Sequence, residues 1–170
     1  MEARNITKEI RMEIKAGDVN RVRFIIDEDR SRLKMITSFG TLLHEAANFG
    51  KLEIVKLLVE MGIDISRSEN SISGGGAIHS AASYGKLEIV QFLLNHDAEL
   101  ETSESVKNPL FAAIHGGHLE IARLLIERGI DTRVKYSGEN MKNMDALAFA
   151  EEWGRTDIVK LIKASQENRR

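Results

Sequence analysis

The 170-residue chain has no cysteine, which removes disulfides and thiolate metal sites from consideration. It has one proline and only 5% aromatic residues. No apolar run approaches the ~20 residues that a membrane-spanning helix needs. Residues 1–15 carry charges throughout and lack the apolar core of a secretory signal peptide. We therefore expect a cytoplasmic protein that has no membrane as partner.

An excess of one charge sign is also missing. The chain has 24 Lys and Arg against 26 Asp and Glu, which gives a net charge of −2. Proteins that bind nucleic acid through its phosphates usually carry a clear excess of Lys and Arg. We therefore expect no nucleic-acid partner. Hydrophobic residues make up 42% of the chain and charged residues 29%, as in ordinary folded proteins.

The chain does contain a repeated sequence motif. Residues 46–58 read AANFGKLEIVKLL, and residues 81–93 read AASYGKLEIVQFL. Related text surrounds five glycines at intervals of 33, 35, 32 and 37 residues, namely Gly17, Gly50, Gly85, Gly117 and Gly154. Self-similarity at a nearly fixed period of this length indicates a solenoid of stacked supersecondary units.

Each copy predicts two short helices joined at the glycine. In the second copy, the hydrophobic periodicity places them over residues 42–49 and 52–61. Gly50 supplies the left-handed conformation that ends a helix at low cost. The polar stripe on the second of these helices consists of Glu53, Lys56 and Glu60. Because the rest of that helix is largely apolar, neighbouring repeats must cover it.

Three local expectations follow from this pattern. The small residues expected where first helices pack together are Ala46, Ala47, Ala81, Ala82, Ala112 and Ala113. The residues expected in a left-handed conformation after second helices are Asp29, Gly62, Asp97 and Gly129. The exposed ion pairs expected at i, i+4 spacing are Lys56–Glu60 and Arg123–Glu127.

The copies resemble the ankyrin repeat family. Its threonine-x-leucine-histidine start, its glycine, its Leu-Glu-Ile-Val run and its Gly-x-Asp ending are matched within residues 41–64. The resemblance implies an all-α ankyrin-repeat solenoid of about five stacked helix-turn-helix repeats with short β-hairpin-like arms, forming a single domain over 1–170. The expected repeats are 7–37, 38–71, 72–104, 105–137 and 141–166, of which the first and last are divergent caps.

Candidate chemistry is sparse. The resemblance implies that His44 and His79 are structural histidines, which tie a helix start to a neighbouring arm. His115 and His118 flank a glycine pair and have no third ligand nearby, so a metal-dependent enzyme at this pair is only the remaining alternative. The stretch SISGGG at 71–76 lacks the lysine of a phosphate-binding loop. We expect no catalytic activity, no cofactor and no metal.

The resemblance implies that another protein binds the concave face, which is formed by the first helices and the arm tips. The pair of residues before each glycine differs between copies, and Phe49, Tyr84 and Trp153 share one repeat position. These rings either contact the partner or shield a neighbouring repeat. The residues expected to bind the partner are Asn48, Phe49, Ser83, Tyr84, His115, Glu152, Trp153, Glu69, Asn70, Glu104, Lys107, Lys135 and Tyr136.

The expected function is therefore a non-enzymatic protein–protein interaction module that is a monomer on its own. The alternative is a stand-alone inhibitor or immunity-type protein that neutralises a cognate enzyme or toxin. An inhibitor of a basic nuclease is expected to be more acidic than the net charge of −2 found here.

Overall fold

The computed structural model describes residues 2–67, 75–138 and 141–168, and the following elements are those of the described residues. The helices are α1 (Glu2–Ala16), α2 (Val19–Glu28), α3 (Leu42–Asn48), α4 (Leu52–Glu60), α5 (Ala77–Ser83), α6 (Leu87–Leu94), α7 (Pro109–Gly116), α8 (Leu119–Glu127), α9 (Ala146–Glu152) and α10 (Thr156–Glu167), with a 3-10 helix at Arg30–Lys34. The antiparallel hairpins are β1–β2 (Ile36–Thr37, Gly40–Thr41) and β3–β4 (Tyr136–Gly138, Met141–Met144).

Five helix pairs stack in order along the chain. The first helices form one row, in which α1, α3, α5, α7 and α9 each contact the next. The second helices α2, α4, α6, α8 and α10 form a parallel row behind them. The predicted all-α solenoid with short hairpin arms is confirmed. None of the described helices is long and apolar enough to cross a membrane.

The six alanines of the first helices are all buried, as predicted. Ala46 and Ala81, for example, have no accessible surface. Side chains of this size let helix backbones approach closely, so the row of first helices packs tightly from one repeat to the next. Both rows of helices contribute large side chains to the core, such as Leu43 from a first helix and Leu58 from a second helix.

The helix endings agree with the prediction at three of the four residues. Gly62, Asp97 and Gly129 all have positive φ, at 85°, 60° and 92°. The prediction was wrong for Asp29, whose φ is −155°. Its carboxylate accepts hydrogen bonds from Ser31 and caps the 3-10 helix that begins at once, and an N-cap residue takes an extended conformation.

The predicted i, i+4 ion pairs were also wrong. Lys56 pairs with Glu53 at 2.7 Å, and Arg123 pairs with Glu120 at 3.5 Å, both three residues back along the helix. Helical side chains lean towards the helix N-terminus. A lysine or arginine therefore reaches a carboxylate three residues before it more easily than one four residues after it. Glu60 is instead approached by Arg23 of the preceding repeat, at 3.4 Å.

A basic side chain from the following repeat covers several of the glycine turns. Arg155 donates to the Ile114 carbonyl at 3.1 Å from Nε and to the His115 carbonyl at 2.5 Å from Nη2. Carbonyls in the last turn of a helix have no partner within the helix, and a cation there also offsets the helix dipole. A Cβ at Gly117 would lie 3.1 Å from the Arg155 guanidinium carbon and would crowd this contact, and the φ of 74° favours glycine here.

Candidate functional site

A groove of about 400 Å³ lies between α5, α7 and α9, at the end where the arms meet these first helices. Three helix pairs and two arms contribute to it. The described side chains that line it are His79, Ser80, Ser83, Tyr84, Ser105, Val106, Phe111, Ala112, His115, Met141 and Phe149. None of these described residues carries a carboxylate, ammonium or guanidinium group.

Aromatic contacts hold the C-terminal wall of the groove. The Phe111 ring stacks on Phe149, with centroids 4.6 Å apart, and meets the Tyr136 ring edge-on at 4.9 Å. His115 lies edge-on to Trp153, with ring centroids 4.3 Å apart. Such pairs contribute about 0.5–1.5 kcal/mol beyond the burial of their surface. The wall is therefore a packed apolar surface that is formed before any partner arrives.

The groove depends on the size of the side chain at one repeat position, which lies five residues before the glycine. This position holds Glu45, Ser80, Ala112 and Phe149 in successive repeats. Ser80 and Ala112 are small and lie in the groove, whereas Phe149 forms its wall. The cavity therefore exists where two consecutive repeats carry a short side chain at this position.

The same position is closed in the second repeat. Glu45 is fully buried, and its Oε1 accepts hydrogen bonds from Arg11 Nε at 2.5 Å and from Thr37 Oγ1 at 2.7 Å. The Arg11 guanidinium also lies over the Phe39 ring, 4.8 Å from its centroid. Side chains of α1 and the first hairpin thus cover the position that is open further along.

Two histidines at one repeat position differ in their hydrogen bonds. In the second repeat, the His44 Nδ1 lies 2.8 Å from the Thr41 hydroxyl, and Nε2 donates to the Gly75 carbonyl at 2.9 Å, which is the predicted structural role. In the third repeat, Gly76 replaces the threonine, and the buried His79 Nδ1 has no hydrogen-bond partner among the described residues. Burial, assisted by the nearby His44, lowers the pKa of His79 to about 4.

Three of the residues predicted to bind a partner line the groove, namely Ser83, Tyr84 and His115. Tyr84 is 55% exposed and stands at the end of α5. Phe49, at the same position one repeat earlier, is half-buried against the core, with Lys15 Nζ 5.9 Å above its ring. For Phe49, the shielding interpretation is therefore the better supported.

Other predicted residues lie outside the groove. Glu152, Trp153, Glu104 and Lys135 are exposed, and Asn48 is half-buried. Glu69 and Asn70 lie outside the described residues. Lys107 forms ion pairs with Glu104 at 2.7 Å and with Glu101 at 3.4 Å, and its hydrogen bonds to these carboxylates raise its pKa.

The prediction for Tyr136 was wrong, because this side chain is buried. Its hydroxyl donates to the Thr102 carbonyl at 2.7 Å and accepts from Asn108 Nδ2 at 3.0 Å. Burial also raises the pKa of Tyr136. The residue joins the fourth arm to the third, so it supports the groove from behind and leaves its ring and hydroxyl unavailable to a partner.

The groove also contains residues that the sequence analysis did not select, among them Val106, Met141 and Phe149. The available signal was the series of residues five positions before the glycine, where side-chain size falls at Ser80 and Ala112. The contributions of Val106 and Met141 depend on how the arms fold back, which the repeat pattern does not specify.

The histidine pair considered as a metal site is held by other contacts. His118 Nε2 donates to the Ser83 carbonyl at 3.2 Å, which is the counterpart of the Arg155 contact one repeat later. The His115 ring packs on Trp153. A search of the described residues finds no group of three or more His, Cys, Asp or Glu side chains that could hold a metal ion.

A family model described as ankyrin repeats (3 copies) matches residues 43–136 and, overlapping with them, 78–169. The chain belongs to the ankyrin repeat family. A search of curated proteins finds no match. Ankyrin repeats are in general protein–protein interaction modules, and the family is typically non-enzymatic. The first helix pair, α1–α2, precedes the matched residues and stacks on α3–α4.

Proposed function

We propose that this ankyrin repeat chain binds another protein on the concave face formed by its first helices and arm tips, and that it performs no chemistry itself. The observation that carries the proposal is the preformed groove between α5 and α9, with the exposed ring of Tyr84 at its edge. Hot spots of protein interfaces are enriched in tyrosine.

The surroundings of the groove support a preorganised surface. Tyr136 fixes the two flanking arms to each other through its hydroxyl, and the Phe111–Phe149 stack fixes α7 to α9. A partner then loses little free energy in ordering these groups, because they are already in place. Hydroxyls and imidazoles at the edge supply hydrogen-bond donors and acceptors that can orient the partner.

The histidines support a non-catalytic role. His44 and His118 hydrogen-bond to carbonyls of neighbouring repeats, and His96, just after α6, does so to the Phe92 carbonyl of that helix. A general base must be within hydrogen-bond reach of the proton it removes, and these rings are engaged in holding backbone instead. We assign them to the packing of the solenoid.

The test begins with affinity capture from native extract and identification of the retained protein. That protein is then purified and titrated calorimetrically with wild type, Tyr84→Ala and Phe24→Ala. Phe24 is a matched control, since it is similarly exposed at 52% but lies on α2 of the first repeat. We expect Tyr84→Ala to weaken binding about tenfold or more, and Phe24→Ala to leave it unchanged. Equal affinities for all three proteins would contradict the proposed surface.

The same capture separates two roles within this function. Several loosely retained proteins indicate an adaptor or regulatory subunit. One dominant enzyme or toxin, whose activity falls on stoichiometric addition of the chain, indicates a stand-alone inhibitor or immunity-type protein.

A further inference from the structure

We propose that the groove between α5 and α9 is an anchor pocket for one uncharged aromatic side chain of the partner, a tyrosine or a tryptophan, which enters ring first and hydrogen-bonds at the rim. This inference rests on the proposed function and specifies the chemistry of the partner residue that the groove receives.

The size of the groove is the first argument. Its volume of about 400 Å³ lies in the lower part of the range of pockets that take small organic groups. The side chains that most often act as interface anchors in such pockets are tryptophan, tyrosine and arginine. A choice among these three therefore depends on the charge and hydrogen-bonding groups of the lining.

The absence of charged groups in the described lining excludes arginine. A guanidinium that leaves water needs a carboxylate and further hydrogen bonds, or its desolvation is not compensated. The nearest acidic arm offers none, because Glu101 and Glu104 are already paired with Lys107. His79 is uncharged at neutral pH, since burial lowers its pKa to about 4, so it neither attracts an anion nor repels a cation.

The distribution of polar atoms then favours an aromatic ring with a polar edge. Phe111, Phe149 and Met141 supply an apolar wall, on which a ring can stack or meet another ring edge-on. Ser83 and Tyr84 lie on the opposite side, at the end of α5, and their hydroxyls can accept from a phenol O–H or an indole N–H. Phenylalanine could stack on the same wall but has no polar hydrogen to donate to these hydroxyls.

The experiment titrates the full chain with single-residue probes and follows backbone amide resonances by NMR. The probes are N-acetyl-tyrosinamide and N-acetyl-tryptophanamide, with N-acetyl-phenylalaninamide, N-acetyl-argininamide and N-acetyl-glutamic acid amide for comparison. We expect the first two to give saturable shifts at Ser83, Ala112 and His115, with dissociation constants of about 1 mM. The arginine and glutamate probes should bind at least about tenfold more weakly, and phenylalanine should fall between.

Two matched variants locate the binding. Ser83→Leu places an apolar branch in the groove and should abolish the shifts. Asn48→Leu introduces the same side chain at the same repeat position one repeat earlier, outside the lining, and should leave them intact. Both positions are half-buried at helix ends, so the folded state should tolerate both, and the amide spectrum itself reports whether it does.

Equal binding of the arginine probe, or the absence of saturable shifts with every probe, would overturn the inference. So would shifts that survive Ser83→Leu in a folded protein. The proposed function stands or falls separately, because it is decided by the loss of captured-partner affinity in Tyr84→Ala. A partner that inserts a charged residue into this groove would contradict the inferred aromatic anchor and leave the proposed binding function intact.

Discussion

The two halves of the proposed binding face repeat the same helix pair but differ in whether one repeat position is covered or open. In the N-terminal half, Glu45 is sealed beneath Arg11 and Thr37, and no side chain of a partner could reach it. In the C-terminal half, Ser80 and Ala112 occupy the equivalent position and leave a groove. The repeat therefore fixes where this position lies, and the side chain there, together with those that cover it from α1 and the first hairpin, determines whether it is closed or open.

The largest expected effect is on the closed half. Arg11→Met leaves the Glu45 carboxylate buried without its cation, and the Oε2 atom of Glu45 already has no hydrogen-bond partner among the described residues. Breaking a buried ion pair from one side costs about 3 kcal/mol of unfolding free energy. Urea denaturation followed by circular dichroism at pH 7 measures it.

The control for this prediction is Arg21→Met, which removes an exposed ion pair with Glu9 and should cost less than about 1 kcal/mol. The double variant Arg11→Met, Glu45→Met should recover most of the stability, because it buries no unpaired charge. Equal losses in Arg11→Met and Arg21→Met would show that the closed half does not depend on its buried pair.

The second expected effect concerns the histidine at the edge of the open half. His79 has a folded-state pKa near 4, below the ordinary value of 6.5, so the unfolded chain binds its proton more readily. Its contribution to stability is full above the unfolded pKa and is lost as the pH falls towards the folded pKa. Between pH 7 and pH 5, wild type should lose about 2 kcal/mol of unfolding free energy relative to His79→Leu.

The measurement is a series of urea titrations across this pH window. His96→Leu, a change at an exposed histidine in the turn after α6, corrects for pH effects that are unrelated to burial. If the difference between wild type and His79→Leu does not change with pH, the imidazole is not held in its neutral form by burial.

A smaller effect is expected at the junction of the last two repeats, behind the groove. Arg155→Ala removes two hydrogen bonds to carbonyls at the end of α7 and should lower the unfolding free energy by about 1.5 kcal/mol. Amide hydrogen exchange should accelerate in α10 more than in α4, since the terminal repeat loses part of its connection to the stack. Lys160→Ala, an exposed change within α10, is the control and should leave exchange unchanged.

The sequence was sufficient for the helix pairs because their signals are local. The prediction of a helix over 42–49 differs from α3 by one residue, since both the apolar periodicity and the glycine at position 50 lie within a few residues of the helix end. The error at Asp29 has a local cause too. A 3-10 helix follows it directly, and the repeat pattern does not predict that helix.

The groove was only partly predictable, because it depends on residues that are far apart in the chain. Ser80, Ala112 and Phe149 come together because the repeats stack, and they share one repeat position. The sequence therefore allows their side-chain sizes to be compared along the stack. The contribution of the arm residues to the groove could not be predicted in this way. The burial of Tyr136 was not predictable from the repeat, because the inward direction of its ring is set by the strand pairing across β3–β4.

The smallest expected effect on stability returns to the two rings at one repeat position, one in each half. Tyr84→Ala should change the unfolding free energy by less than about 0.5 kcal/mol, because most of the ring is exposed. Phe49→Ala should cost about 1 kcal/mol, since that ring is half-buried against the core. Against a captured partner the order should reverse, with Tyr84→Ala the more damaging to affinity. Thermal unfolding measures the effect of each variant on stability, and calorimetric titration of the same two preparations measures its effect on partner affinity. If one variant lowers stability and affinity equally, packing and recognition are not divided between the two halves.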